Sequence, residues 1–175
     1  GAVNAMGGKA RLLAAGDVMT TSIDASTLID VDSSGGGALN VGALTSGGGI
    51  NLDTSGMVMA GATDAVGVLR VGSQSALVQS ANFTGAVNAG TVNVTTLGDI
   101  TALDVASASG SVNLVSTTGM ITAGNIDSVG GNTSLTADGN ITTTSMDSSG
   151  SINAVSTTGM INGGAVNAMG GKARL

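Results

Sequence analysis

The chain repeats itself on two scales, and the shorter repeat decides what it can fold into. Residues 110–121 read GSVNLVSTTGMI and residues 150–161 read GSINAVSTTGMI, 40 residues apart. A related segment, NTSLTADGNI at 132–141, stands between them. The basic unit is therefore about 20 residues long, too short to bury its own apolar face, so neighbouring units must cover one another. On the longer scale, GAVNAMGGKARL stands at 1–12 and again at 164–175, an offset of 163 residues. That duplicate predicts a slice of a longer repetitive chain. It is either a tandem array with this period or a piece cut so as to overlap itself.

Three apolar columns run through the units. The first is an apolar–polar–apolar triplet, as in Ile29-Asp30-Val31, Ile50-Asn51-Leu52, Leu69-Arg70-Val71, Val92-Asn93-Val94, Val112-Asn113-Leu114 and Ile152-Asn153-Ala154, with Ala10-Arg11-Leu12 and Thr133-Ser134-Leu135 as weaker members. The second is a single apolar residue two positions after a turn residue: Val18, Leu39, Val58, Leu77, Ile100, Ile121, Ile141 and Ile161. That turn residue is Gly except before Leu77, where it is Ser75. The third follows five residues later in most units, at Ile23, Leu44, Val105, Ile126, Met146 and Val166, with Thr63 as an irregular member. Alternation in the first column is the mark of a strand with one buried face. Gly, Ser, Thr, Asn and Asp punctuate the gaps.

The solution these columns predict is a parallel β-solenoid. Each strand pairs with its equivalent in the coils before and after it. Val, Ile and Leu stack inside while Asn, Ser, Thr and Asp stack outside. Residues 1–175 are read as one such segment, with about eight coils per 163-residue period and three short strands per coil. At ~4.8 Å per coil, eight coils make a rod of roughly 38 Å. The periodicities leave the handedness of the coil open, although the six-residue repeat of the common left-handed helices is missing. Composition agrees with an all-β chain. Glu is absent, which removes a favoured helix residue, and the 30 Gly supply turns. There is no Pro to interrupt a ladder. Phe83 is the only aromatic residue, as suits a narrow lumen filled by aliphatic side chains.

One unit breaks the spacing. Ten residues separate Leu77 from Val87, where five is usual. The excess is placed at 79–84, QSANFT, as a bulge or small protruding loop. Phe83 then either folds back over the flank of the rod or presents a binding loop. Elsewhere the candidates for chemistry lie in the outward positions. The residue after the third column reads Asp24, Thr45, Asp64, Asn88, Ala106, Asp127, Asp147 and Asn167. These Asp residues are either solvated surface groups or a ladder for Ca²⁺, which takes several oxygen ligands. Arg11 and Asp30 are expected to neighbour each other across one coil step, and Asn51, Asn93, Asn113 and Asn153 share their column. These amides read as a structural ladder or a carbohydrate strip. Thr residues at 117–118, 142–144 and 157–158 read as strand and turn formers, with ice binding as the alternative.

Several functions fit poorly. A net charge of −6 with five basic residues argues against nucleic acid. No apolar run approaches the ~18–20 residues of a membrane-spanning helix. With no His or Cys, almost no bases and short loops, the chain offers no tunable acid–base pair. An enzyme is therefore not expected, and no catalytic, cofactor or metal residue is assigned.

Residues 110–130, GSVNLVSTTGMITAGNIDSVG, resemble the repeats of filamentous haemagglutinin and related large secreted exoproteins. The match lies in the apolar-Asn-apolar strand, the Ser/Thr-rich turn, the Gly, and two Ile five residues apart. The resemblance covers nearly the whole chain. It implies a right-handed parallel β-helix, export to the cell surface with the help of an outer-membrane partner, and a role as an adhesin shaft or extracellular fibre. On this reading the partners are neighbouring repeats of the same chain, or copies associated end to end. A module that recognises a glycan or host receptor, through a solenoid face or the Phe83 loop, is the alternative.

Overall fold

The computed structural model describes residues 1–72 and 77–175. Among these there is no helix, and every strand pairing is parallel, between segments about one repeat apart. The chain is a β-solenoid held by three ladders. The first passes through Ala10, Ile29, Ile50, Leu69, Val92, Val112, Thr133, Ile152 and Ala173. The second passes through Val18, Leu39, Val58, Ala81, Ile100, Ile121, Ile141 and Ile161. The third passes through Val3, Ile23, Leu44, Thr63, Val87, Val105, Ile126, Met146 and Val166.

All three columns read from the sequence are thus ladders, with one substitution discussed below. Their members fill the lumen. Ile29, Ile50, Leu69, Ile100, Ile121 and Ile141 are fully buried, and the residues between them along each strand face outward. A one-residue slip would turn every inward side chain out, so the alternation fixes the register.

The strands are longer than the three short ones expected per coil. The second and third ladders share one eight-residue strand in Val18–Ala25, Leu39–Ser46, Ile121–Ser128 and Ile141–Ser148. In Thr63–Val71 and Val87–Thr96 the third ladder instead runs on into the next passage of the first. The bends between ladders are gentle enough that pairing continues through them.

The irregular unit differs from the expectation. Leu77 is not the inward residue of the second ladder; Ala81 is, paired with Val58 before it and Ile100 after it. Residues 79–84 do not protrude, because Ser80–Phe83 is a strand of the stack. Phe83 points into the core at 3% exposure, between Ala60 and Ala102. Those two small neighbours make room for its ring. The extra residues enter earlier. Val94 to Thr96 is two positions, whereas Val71 to Val78, the ladder partners of that pair, is seven. Gly72, whose φ is +78°, and the buried Val78 bound this difference. Ser75, the expected turn residue of this unit, lies outside the described residues.

Candidate functional site

Two sets of side chains bond one coil to the next, and both sit at the bends. The first is a series of buried or half-buried hydroxyls at strand ends. Ser116 Oγ donates to the Gly98 carbonyl one coil earlier at 2.8 Å and accepts from the Gly119 N–H of its own turn at 3.1 Å. Ser33, Thr54, Ser107, Ser148 and Ser156 repeat this bridge, each joining two glycine-bearing turns. A buried hydroxyl without partners would be costly, so each is placed where both adjoining turns offer backbone groups. Glycine is required by the same crowding. A Cβ on Gly48 would stand 1.8 Å from the Thr27 carbonyl oxygen of the previous coil.

The second set caps the ladders where they begin. Asp17 Oδ1 accepts from the Ala38 N–H, Asp99 Oδ1 from Met120 and Asn140 Oδ1 from Met160, each at 2.8 Å and each one coil on. Asp104 does the same for Asn125, and Asn132 for Ser151, on the other two ladders. The carbonyl before three of these caps accepts a bridging hydroxyl instead, Gly16 from Ser33, Gly98 from Ser116 and Gly139 from Ser156, and the cap's side-chain oxygen receives the N–H. These caps were not anticipated from the sequence. The signal was there, in the Gly-Asp-Val, Gly-Asp-Ile and Gly-Asn-Ile triplets at 16–18, 98–100 and 139–141.

The residues picked out earlier fall on the outer faces. The Asp column has the expected order, with Asp24 paired to Thr45, Thr45 to Asp64, and Asp127 to Asp147. Only Asp127 and Asp147 occupy successive coils. No group of three or more acidic or metal-ligating side chains converges among the described residues. The Asn amides align, Asn93 on Asn113, but no hydrogen bond joins them among the described residues. Arg11 and Asp30 meet as expected, Nε to Oδ2 at 3.2 Å, in a partly exposed pair worth under ~1 kcal/mol. Thr101, Thr122 and Thr142 stack on three successive coils. Thr117, Thr118 and Thr158 instead turn their hydroxyls back to backbone carbonyls of the previous coil. A polar groove of about 140 Å³ is lined by Asp30, Asn51, Leu52, Asp53, Arg70 and Gly72. Small-molecule pockets are usually about 300–1,000 Å³.

No helix among the described residues is long and apolar enough to cross a membrane. Fold and contacts together define the chain as a parallel β-solenoid repeat protein whose organised chemistry serves coil-to-coil cohesion. Comparison with protein-family models, with curated proteins and with solved structures gives no match to it.

Proposed function

We propose that the chain is a structural, non-catalytic segment of a long extracellular fibre or adhesin shaft. The observation that carries this reading is the continuity of its cohesion. Three ladders run through successive coils, with one register shift between Ala89 and Thr91 among the described residues, and hydroxyl bridges and side-chain caps reinforce the bends between them. An element built this way transmits load along its axis, because each coil is tied to the next by backbone hydrogen bonds along three ladders and by side-chain acceptors at the bends. The resemblance to filamentous haemagglutinin repeats adds the cell-surface location, the right-handed sense and an outer-membrane export partner. The alternative, a module that recognises a glycan or receptor, loses its most specific feature, since Phe83 faces the core. It retains only the outer faces.

The test is electron microscopy and diffraction of the native assembly, together with protease treatment of intact cells. Filaments with a ~4.8 Å layer line and a superperiod of roughly 38 Å, removable by protease from outside, are the expected result. Discrete particles with closed ends, or a protein protected inside the cell, would overturn the reading.

A further inference from the structure

We propose that 163-residue blocks of this sequence join by sharing a coil rather than by stacking end on end. On this view residues 1–12 and 164–175 are one structural coil seen from its two sides. The third ladder takes eight steps from Val3 to Val166, and the first takes eight from Arg11 to Arg174. The sequence period is therefore a whole number of coils, and the duplicate returns to the same ladder positions.

Both halves of the shared junction are already present. In the second copy, Val166, Asn167 and Ala168 sit on Met146, Asp147 and Ser148 of the preceding coil. In the first copy, Val3, Asn4 and Ala5 sit beneath Ile23, Asp24 and Ala25 of the following coil. Superposing the two copies builds a junction whose third- and first-ladder pairings are ones the chain already makes, and on the second ladder it sets Val18 of one block on Ile161 of the block before. It also covers positions that stand half buried in the two copies and at Ile161 just before the second. Val3, Leu12, Ile161 and Val166 are only partly buried, whereas their ladder mates Ile23, Val31, Ile141 and Met146 are at most 1% exposed.

Charge argues against the other geometry. Setting a complete copy on another would place Arg11 over Arg174 and Lys9 over Lys172, four of the five basic residues of the chain. Neither dodecamer contains an acidic residue to offset them. Like charges directly opposite in a ladder are destabilising. In the shared coil, by contrast, the arginine meets the carboxylate one coil on, as Arg11 meets Asp30 at 3.2 Å.

The inference rests on the fibre reading only in supposing that blocks follow one another. Its test uses a chain of two blocks, with Gly1 of the second directly after Gly163 of the first, beside the 175-residue chain. The two-block chain is expected to scatter as one straight rod lengthened by roughly 38 Å and to melt in one transition. Two hinged rods or two separate transitions would overturn the shared coil. At ~0.01 M salt, where the Debye length is about 30 Å, the 175-residue chain is expected to stay monomeric. Arg174→Asp, which sets a carboxylate beneath the next copy's Arg11, should associate at a concentration lower by about tenfold or more. Wild-type filaments that form at low salt as readily as those of the variant would overturn the exclusion of end-on stacking. Failure of the fibre reading looks different. A straight two-block rod from a protein confined inside cells sustains the shared coil and sinks the shaft. Hinged blocks from a protein that forms surface filaments do the reverse.

Discussion

At the scale of single residues, the buried hydroxyls of the described residues find hydrogen-bond partners with two exceptions. The hydroxyls of Thr20 and Thr133 are buried and make no hydrogen bond. Thr133 is fully buried in the first ladder between Val112 and Ile152, an aliphatic setting. Valine has the same shape without the hydroxyl. Thr133→Val is therefore expected to stabilise the chain by roughly 1–2 kcal/mol, read as a raised midpoint in denaturant titration. A lowered midpoint would mean that the hydroxyl has a partner after all. Phe83 is the opposite case, a large residue in a position that Ala60 and Ala102 keep small in adjacent coils. Phe83→Ala should leave a cavity that the rigid backbone stack cannot close and should cost about 3–5 kcal/mol. An unchanged melting temperature would return Phe83 to the surface, where a loop reading would place it.

At the scale of strands and bends, the caps make a sharper distinction than the core does. Asp99 acts through a single oxygen, the acceptor for the Met120 N–H, and Asn140 performs the same task for Met160 at the same distance. Asp99→Ala is expected to destabilise by about 1 kcal/mol, as loss of a comparable helix cap does. Asp99→Asn should be nearly neutral, since the acceptor survives. Equal losses in both variants, measured by thermal melting, would assign the effect to charge instead of geometry. These positions also mark where the sequence was legible. Ladder membership follows from apolar alternation, because a period of two maps directly onto inside and outside, and it was readable even at Thr63. The irregular unit was not. Leu77 is apolar and follows a turn-like Ser, while the true inward residue, Ala81, is small and follows Gln79 instead of Gly. Volume is shared within that coil, where Phe83 supplies what Ala81 lacks, and a column-by-column reading cannot see such an exchange. Nor can it see the caps, whose partners lie one coil away. The fusion of strands through gentle bends escaped for the same reason, as periodicity reports which side faces in and not where pairing stops.

At the scale of the whole molecule, each coil touches only its neighbours, so stability should be close to a sum of coil terms and interfaces between adjacent coils. That architecture makes damage local. Ile121 is fully buried between Ile100 and Ile141 on the second ladder. Ile121→Asp puts a charge into the lumen with no cation to meet it, since the five basic residues of the chain lie at 9–11, 70 and 172–174. The cost of an unpaired buried charge, about 3–5 kcal/mol, falls on one coil and the two that flank it. In a globular core it would be shared by the whole domain. Hydrogen exchange separates these outcomes. Amides of the strands at Ile100–Ala102, Ile121–Ser128 and Ile141–Ser148 are expected to exchange roughly 100-fold faster or more, each 1.4 kcal/mol being tenfold. Those at Leu28–Ser33, several coils away, should keep their protection. If protection fell equally from one end to the other, the coils would be a single cooperative unit. The additive, nearest-neighbour description that a segment of indefinite length requires would then not hold.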